Sequence, residues 1–450
     1  MLRVVVGSTI GPPGKDQRGT VPAMDNRTEG GPGGSGDLFE LSDAILRGDA
    51  DIDQHHPFSP SNRLVEVDDG VAFVESFANV AAFGTDDGLC LVDTGSAFAA
   101  PAVHAAVRGW SPHRLASAVY THGHIDHVFG TAVFEEESAA NGWEPAQVVA
   151  HELVDERFDR YALTAGYNAV INQRQFRAPG LQWPLDYRRA DVTYRDALSW
   201  DVGNTRFELR HARGETDDAT WVWVPEHRVL CPGDLIIWCS PNAGNPQKVQ
   251  RYARDWAVAL RAMAELDAEV LLPGHGLPIR GAGHVRAVLT DTADLLDHVF
   301  HHTLDLMNEG ATLDAIVHSL EVPAHLAEKP YLQPIYDEPE FVVRNVWRLY
   351  GGWYDGNPAR LKPPADAALA AEVSALAGGA RALAARAREV ADTGDLRLAC
   401  QLAEWASQAD PDDADARAAR AEIYKVRMRA ERSLMARGVY SWAAHESAPD

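Results

Sequence analysis

The feature that most constrains this chain is a cluster of metal-ligand side chains directly after an apolar strand. Residues 115–120 predict the strand, and His122, His124, Asp126 and His127 follow it. In an extended loop His122 and His124 point the same way, because side chains of extended backbone alternate in direction. Asp126 and His127 then face a position next to the one that His122 and His124 face. Zinc takes imidazole and carboxylate ligands readily, so the cluster predicts a site for a pair of divalent ions.

Three further segments supply polar side chains at predicted strand ends. Asp93 lies in Leu-Val-Asp-Thr-Gly, Asp234 in Cys-Pro-Gly-Asp, and His275 in Leu-Leu-Pro-Gly-His-Gly. Together with His-x-His-x-Asp-His, and in this order, these segments resemble the metallo-β-lactamase superfamily. The resemblance implies an αββα sandwich in which Asp93 supports the metal loop and Asp234 bridges two metal ions.

One position departs from the superfamily pattern. Where other members carry a third histidine, this chain has Glu215, 19 residues before Asp234. A carboxylate there is similar to the alkyl sulfatases of the superfamily. The resemblance implies two zinc ions per chain, one held by His122, His124 and Glu215, the other by Asp126, His127 and His275, with Asp234 between them. His211 is the competing ligand, and its alternative role is a strand-end histidine bonded to the backbone. Iron or manganese in one site stays open.

Residues 349–358, Leu-Tyr-Gly-Gly-Trp-Tyr-Asp-Gly-Asn-Pro, support the same subfamily. The segment closely resembles the one that joins the catalytic and dimerisation domains of alkyl sulfatases. Beyond it, 366–435 has helical spacing, and 383–428 resembles one and a half helix-hairpin repeats of about 34 residues. Such a unit cannot bury its own face, so we expect a homodimer formed through the helical domain.

The sequence predicts three parts. Residues 1–36 are rich in Gly, Pro and Ser and predict a flexible leader. Residues 37–285 predict an α/β catalytic domain of the metallo-β-lactamase type, and 286–450 an all-α dimerisation domain. The predicted strands are 71–75, 89–92, 115–120, 148–150, 205–209, 220–224, 229–231 and 270–272. Detergent-degrading members carry a further sterol-carrier-like domain, for which 450 residues leave no room, so we expect substrates other than long-chain detergents.

A sulfate group needs hydrogen-bond donors beyond the metal ions. The alkyl sulfatases carry a substrate segment with Asn and Arg between the metal loops, and the matching residues here are Asn168 and Arg174. They also carry a sulfate-contacting arginine after the bridging aspartate, and Arg251 is the nearest match. The alternative for each residue is a surface or helix-cap role. With Asp126 and Asp234, these three residues are the candidate catalytic residues.

The implied chemistry is hydrolysis. Two divalent ions that share a water lower its pKa enough to give hydroxide near neutral pH. The resemblance implies that this hydroxide attacks a sulfate ester and releases inorganic sulfate and an alcohol. The alternative is another hydrolase of the same fold, which cleaves a sulfamate, a thioester or a lactone.

The charge balance argues against other partners. The chain has 41 Lys and Arg against 65 Asp and Glu, a formal net charge of −24. Such a chain repels nucleic acid and anionic membranes, and no apolar run approaches the ~18–20 residues that span a bilayer. Four scattered cysteines predict reduced thiols and a cytoplasmic protein. We therefore expect a small anionic sulfate ester as partner, with no nucleic acid and no membrane.

Overall fold

The described part of the chain, residues 37–447 of a computed structural model, forms two β-sheets packed face to face with helices outside, followed by a helical region. This arrangement confirms the predicted fold class, an αββα sandwich followed by an all-α region. The leader predicted at 1–36 lies outside the described residues. The domain limits 37–285 and 286–450 stay a prediction.

The first sheet contains seven strands that pair in sequence order within residues 37–447. They are β1 (Leu64–Asp68), β2 (Val71–Val74), β3 (Val80–Thr85), β4 (Gly88–Val92), β5 (Leu115–Val119), β6 (Gln147–His151) and β7 (Val192–Tyr194). Neighbours run antiparallel from β1 to β4 and parallel from β4 to β7. Because β4 and β5 are adjacent and parallel, the loops that follow them leave the sheet at the same edge.

The second sheet has the order β13-β12-β11-β10-β9-β8 in the part of the chain that the structure describes. Its strands are β8 (Ala197–Val202), β9 (Thr205–Ala212), β10 (Ala219–Val224), β11 (Val229–Ile237), β12 (Val270–His275) and β13 (Ile279–Arg280). All neighbours are antiparallel except β11 and β12. This parallel pair brings the carboxyl end of β12, with His275, beside β11.

Strand β11 is longer than the sequence predicts. The predicted strand is 229–231, whereas pairing with β12 continues to Ile237, so Asp234 lies inside the strand and not at its end. The register shifts on either side of Gly233, which has a φ of 57°. A Cβ atom on Gly233 would come within 2.6 Å of the Thr121 side chain. Glycine here therefore lets β11 approach the loop after β5 and brings Asp234 close to that loop.

The sandwich core lies between the two sheets and is built by alternate residues of each strand. Phe73, Phe83 and Val119 of the first sheet share a buried cluster with Phe207 and Leu209 of the second. Residues next to them along the strands of the first sheet form a second cluster under helices, because strand side chains alternate between faces. Both faces of the first sheet are thus covered, which explains why β2 and β4 are buried at every position.

Helices cover the outer faces of the sandwich and connect its strands. They are α1 (Leu38–Arg47), α2 (Ala100–Trp110), α3 (Ile125–Val128), α4 (Thr131–Asn141), α5 (Leu153–Leu163), α6 (Ala165–Phe176), α7 (Ala253–Ala264) and α8 (Ala282–Asn308). Helices α7 and α8 pack on each other and add Trp256, Leu260 and Leu289 to the main core cluster. Three later helices join the same cluster, namely α9 (Leu313–Ser319), α10 (Ala324–Ala327) and α11 (Pro339–Gly351). The core of the sandwich therefore continues beyond the last strand.

The remaining helices pack in neighbouring pairs, and most of them share two small buried clusters, whereas Met435 of the last helix belongs to the main core cluster. They are α12 (Asp366–Ala377), α13 (Ala380–Asp392), α14 (Leu396–Ala409), α15 (Ala414–Ala430) and α16 (Leu434–Glu446). The side chains of Asp395 and Asp413 cap α14 and α15, which explains why these helices begin at the residues that follow. Alanines such as Ala387 and Ala403 let the helices approach closely. Within residues 37–447 no single helix is long and apolar enough to cross a membrane, while α12 and α13 together, bent by 84°, meet the length and composition criteria.

Candidate metal centre

The histidine loop is held in place by the residue that follows β4. Asp93 has a left-handed φ of 57°, and its carboxylate accepts hydrogen bonds from the N–H and the hydroxyl of Thr121, each at 2.7 Å. The same carboxylate lies 2.7 Å from Nδ1 of His127. Asp93 therefore fixes the start of the loop and the orientation of the His127 ring, as supporting carboxylates do in metal sites.

Asp218 fixes the middle of the same loop. Its Oδ2 accepts the N–H of Gly123 at 3.0 Å and the Nε–H of Arg157 at 2.8 Å. Burial raises the pKa of Asp218, but the Arg157 guanidinium outweighs burial and lowers that pKa to about 2. Sequence reasoning missed this support, since its only signal is a second acidic residue shortly after Glu215.

A first group of donors forms where this loop meets the second sheet. Nε2 of His122 lies 2.8 Å from Nδ1 of His124 and 3.6 Å from Oδ2 of Asp234. Oε2 of Glu215 lies 3.4 Å from Nδ1 of His124. The ligand atoms of these four residues all lie within 4.8 Å of one another. His211 lies outside the group, with Nε2 at 2.8 Å from a backbone carbonyl oxygen, so Glu215 is the donor that the structure brings to this position.

A second group lies beside the first. Nε2 of His127 is 3.4 Å from Nε2 of His275 and 3.8 Å from Oδ2 of Asp126. Nε2 of His275 is 3.6 Å from the same Asp126 oxygen, and the three ligand atoms lie within 4.8 Å of one another. Nδ1 of His275 bonds the carbonyl oxygen of Phe77, which turns Nε2 toward the group. The structure thus gathers the three residues predicted for the second ion.

Asp234 lies between the two groups. Its Oδ1 is 3.4 Å from Nε2 of His127, and its Oδ2 is 3.3 Å from Nε2 of His275 and 3.6 Å from Nε2 of His122. Oδ1 of Asp234 and Oε2 of Glu215 are buried and have no hydrogen-bond partner among the described residues. Buried carboxylate oxygens require a donor or a cation, and this donor set suits divalent ions. The residues therefore fit a pair of divalent cations, and their assignment as ligands stays a prediction.

Burial and neighbouring charges set the protonation of the donors. Burial lowers the pKa of His122 to about 3, so its ring is neutral and keeps a lone pair for a ligand bond. Burial raises the pKa of Glu215 to about 7, and Arg251 opposes that rise. Burial also raises the pKa of Asp234, but His275 and other histidines outweigh it and hold the pKa well below its usual range. Neutral imidazole beside ionised carboxylate is the form in which these groups bind metal.

Two further residues hold Glu215. NH1 of Arg251 donates to the Glu215 carbonyl oxygen at 2.7 Å and lies 2.8 Å from its Oε1. Nδ2 of Asn242 donates to the same Oε1. Sequence reasoning named Arg251 as a sulfate contact and did not predict that Asn242, in the Pro-Asn-Ala-Gly-Asn-Pro loop after β11, contacts Glu215. The structure shows Arg251 as an ion-pair partner of Glu215, and sulfate contact stays a prediction.

The two predicted substrate residues of α6 make contacts away from the donor groups. Nδ2 of Asn168 donates to Oγ1 of Thr164 at 3.0 Å, within the helix region itself. NH1 of Arg174 donates to Oε1 of Gln247 at 3.1 Å and so links α6 to the loop before α7. Their role in binding sulfate stays a prediction.

A row of aromatic rings leads from the surface to His275. The ring centroid of Phe58 lies 4.5 Å from that of His275, and the ring of Phe77 lies 5.9 Å from it. Phe98, which is 64% exposed, lies 5.5 Å from Phe77. Sequence reasoning missed this row because its members lie far apart in the chain. The second donor group is therefore bordered by apolar surface on one side.

Comparison with known families agrees with this geometry. Residues 74–275 match the metallo-beta-lactamase superfamily. This part of the chain is similar to that superfamily. Residues 312–449 match a second family, described as alkyl sulfatase dimerisation. The superfamily match covers the donor loops and strands β3 to β12, and the second match covers the helical hairpins.

Individual relatives point to one branch of the superfamily. A linear primary-alkylsulfatase from a Pseudomonas species is 29% identical over 363 residues, which cover 75% of this chain and 68% of that protein. An (R)-specific secondary-alkylsulfatase from Pseudomonas is 29% identical over 381 residues, which cover 77% of this chain and 56% of that protein. The solved structure of a stereoselective inverting sec-alkylsulfatase from Pseudomonas superposes with a TM-score of 0.76 at 26% identity, over 86% of this chain and 66% of that one.

These relatives confirm the predicted resemblance to alkyl sulfatases, and with it the predicted class of superfamily hydrolases. The chain spans between 56% and 68% of the length of the proteins just described. The activity and substrate of those longer proteins therefore come to this chain as a proposal.

Proposed function

We propose that the protein is a hydrolase with two zinc ions that cleaves a sulfate ester into inorganic sulfate and an alcohol. The observation that carries the proposal is the presence, in one chain, of two His and carboxylate donor groups and a region that matches the alkyl sulfatase dimerisation family. The alkylsulfatase names of the curated relatives support the same reaction.

In this proposal each donor group holds one ion and Asp234 contributes to both. The ligands are His122, His124 and Glu215 for one ion and Asp126, His127 and His275 for the other. Two divalent ions bound there would lower the pKa of a shared water and neutralise the charge of an anionic ester. Zinc is proposed because imidazole and carboxylate form its usual ligand set.

Groups that hydrogen-bond the proposed ligands orient them for metal binding. Asp93 bonds Nδ1 of His127, and the Phe77 carbonyl bonds Nδ1 of His275, so Nε2 of each ring is left for a ligand bond. These contacts fix the tautomer and the direction of each ring before substrate arrives. The second donor group therefore needs little rearrangement to bind.

Glu215, in the first group, is held by an ion pair instead. Arg251 compensates the charge of Glu215 at Oε1, which leaves Oε2 buried and without a hydrogen-bond partner among the described residues. Asp126 and Glu215 act as ligands in the proposal, so neither is free to serve as a general base. Arg251, Asn168 and Arg174 are the proposed donors to the sulfate group.

The proposed substrate is a small anionic sulfate ester. Phe58 and Phe77 border His275 and offer an apolar surface to an organic group. The charge of the sulfate is met by cations and buried donors rather than by a basic surface, which agrees with a chain of net charge −24.

We also propose that the protein is a cytoplasmic homodimer. The match of residues 312–449 to the alkyl sulfatase dimerisation family supports pairing. All four cysteines are free and buried, which agrees with a reducing compartment. Light scattering after size exclusion is expected to give twice the 49.0 kDa mass of one chain. A single-chain mass at micromolar concentration would contradict the dimer.

The activity is tested with a panel of short, branched and aryl sulfate esters, scored for free sulfate with zinc-loaded and with chelated protein. Release is expected only from the loaded sample and is expected to return when zinc is added back. His211→Ala is a matched control that should keep activity, whereas His124→Ala should lose it. If protein that holds two zinc ions releases no sulfate from any ester, the sulfatase proposal fails. Turnover of a thioester without sulfate release would favour the alternative hydrolase.

A further inference from the structure

The two residues that hold Glu215 lie in one loop, which connects β11 to α7. Nδ2 of Asn242 donates to Oε1 of Glu215, and NH1 of Arg251 forms an ion pair with the same oxygen. Residues 240–251, the β11–α7 loop, contain no helix or strand, so their backbone groups need partners outside regular structure. The position of Glu215 therefore depends on what fixes this loop.

Asp337, two residues before α11, holds the middle of the β11–α7 loop. The residue is 0% exposed. Its Oδ2 accepts the N–H of Gly244 at 2.7 Å, and its Oδ1 accepts the N–H of Glu338 at 2.8 Å. Burial raises the pKa of Asp337 to about 7, while these two N–H groups oppose the rise. Asp337 thus ties the loop, two residues after Asn242, to the start of α11.

Asn345, on α11 itself, holds the same loop at two further points. The residue is 6% exposed. Its Nδ2 donates to the carbonyl oxygen of Ala243 at 2.7 Å and to that of Arg251 at 3.1 Å. Ala243 adjoins Asn242, so the backbone beside each residue that holds Glu215 is bonded to one side chain of α11. Buried hydrogen bonds of this kind restrict the loop to one conformation.

Glycine at position 244 lets the loop and the helix approach closely. A Cβ atom on Gly244 would collide with the backbone of Phe341 and Val342, in the first turn of α11. The loop therefore packs backbone to backbone against the helix. Because a packed interior has little free space, a displacement of one element must move the other.

We propose that Asp337 and Asn345 are positioning residues for the first donor group. They fix the β11–α7 loop so that its side chains meet Oε1 of Glu215, and Oε2 is left for the ion. The inference rests on the proposed function, because Glu215 must be a metal ligand. Both residues lie within 312–449, which matches the alkyl sulfatase dimerisation family. Part of the support of the first group thus comes from outside the superfamily match at 74–275.

The test is chelator competition on the full-length chain at neutral pH, which measures the affinity of each zinc ion. Asp337→Asn keeps the size of the side chain but replaces one acceptor with a donor, and should weaken the first ion by roughly tenfold. In a Glu215→Ala background, where only the second group retains its ion, the same change should leave the remaining affinity unaltered. Asp395→Asn, at the cap of α14, is the matched control and should bind both ions as the native chain does.

A double-mutant cycle tests the route through Asn242. Asn242→Ala removes the contact to Glu215, so the addition of Asp337→Asn should weaken the first ion less than Asp337→Asn does alone. Full additivity of the two changes would mean that Asp337 does not act through Asn242, and would overturn the proposal.

Hydrogen exchange of the zinc-free protein reports the loop without any metal. Asp337→Asn and Asn345→Leu should each speed amide exchange in 240–251 and leave exchange in α14 unchanged. Asn345→Leu removes both donors to the loop and keeps the proposal testable if Asp337→Asn does not fold. Circular dichroism checks the folding of each variant.

The outcomes separate this inference from the proposed function. Native affinity for both ions in folded Asp337→Asn and Asn345→Leu chains would overturn the inference, and so would equal weakening of both ions, which indicates a general loss of stability. The proposed function survives either result if Glu215→Ala still loses one ion. Retention of both ions by Glu215→Ala would contradict the ligand assignment of the proposed function, and this inference with it.

Discussion

The two donor groups of this protein are supported in different ways. The second group is oriented, because Asp93 and the Phe77 carbonyl fix the rings of His127 and His275 through Nδ1. The first group is balanced by charge, because its buried carboxylate, Glu215, forms an ion pair with a buried arginine. Similar donor atoms are thus prepared by geometry on one side and by electrostatics on the other.

Exposure follows the same division. The side chain of His127 is 0% exposed, whereas that of His124 is 19% exposed. Metal binding by a group whose rings are fixed depends on the positions of the residues that fix them. Metal binding by a group that includes a carboxylate of raised pKa depends on pH, because protons compete with the metal for that carboxylate. The comparison therefore predicts that changes behind the first group act mainly in acid, through the pKa of Glu215.

The largest effect is expected at Asp234, because both donor groups share this residue. Asp234→Ala removes the carboxylate that lies within 3.6 Å of donor atoms of both groups. Zinc content, measured by mass spectrometry, should fall from two ions per chain to below one, and sulfate release should stop. Asp201→Ala, at an exposed carboxylate of β8, should change neither. Two retained ions in Asp234→Ala would show that Asp234 does not bridge.

The next effect separates the two groups. Glu215→Ala should reduce bound zinc from two ions per chain towards one, because only the first group loses a ligand. His211→Ala is the matched control, four residues upstream on the same strand and connection, and should keep two ions. Unchanged zinc content in Glu215→Ala, or a loss in His211→Ala, would reverse the assignment of these two residues.

A smaller effect tests the support of the second group. Asp93→Asn keeps the size of the side chain but removes the charge that orients His127. Changes to such supports typically weaken metal binding by about 10- to 100-fold. Competition with a chelator, in a Glu215→Ala background where only the second group retains its ion, should show this loss. Affinity equal to that of Glu215→Ala alone would mean that the ring needs no carboxylate behind it.

The sequence was informative where chemistry is local. His122, His124, Asp126 and His127 lie within six residues, and a strand before them sets their direction, so their proximity follows from spacing alone. Glu215 was found because it stands at a fixed place in a family pattern. The support that Asp218 and Asn242 give was not predicted, because their partners lie 95 and 27 residues away and the adjacent sequence does not identify those partners.

The fold shows the same limit. Buried strands such as β4 were predicted, because all of their residues are apolar or small. Strand β8 was missed, since this edge strand of the second sheet is half exposed and carries Ser and Asp. The end of β11 was missed because Pro232 and Gly233 predict a break, whereas pairing with β12 resumes beyond them. Tertiary pairing, not local preference, decides these elements.

The smallest expected effect concerns the arginine behind the first group. Arg251→Met keeps a long side chain but removes the charge beside Glu215. Burial raises the pKa of Glu215 to about 7, and Arg251 opposes that rise, so its removal raises the pKa further. The carboxyl must lose its proton to bind metal, so a higher pKa lets protons compete at higher pH.

The pH at which the first group is half loaded should therefore move upward, by roughly one unit. The expected loss of zinc is greatest near and below pH 7 and disappears in alkaline solution, where Glu215 is ionised in both chains. Zinc content measured between one and two ions per chain across this pH range reports the first group. Arg286→Met, at an exposed arginine of α8, should follow the native curve. A loss that is the same at every pH would mean that Arg251 supports Glu215 by position, as Asp93 supports His127. That result would contradict the claim that charge prepares the first group.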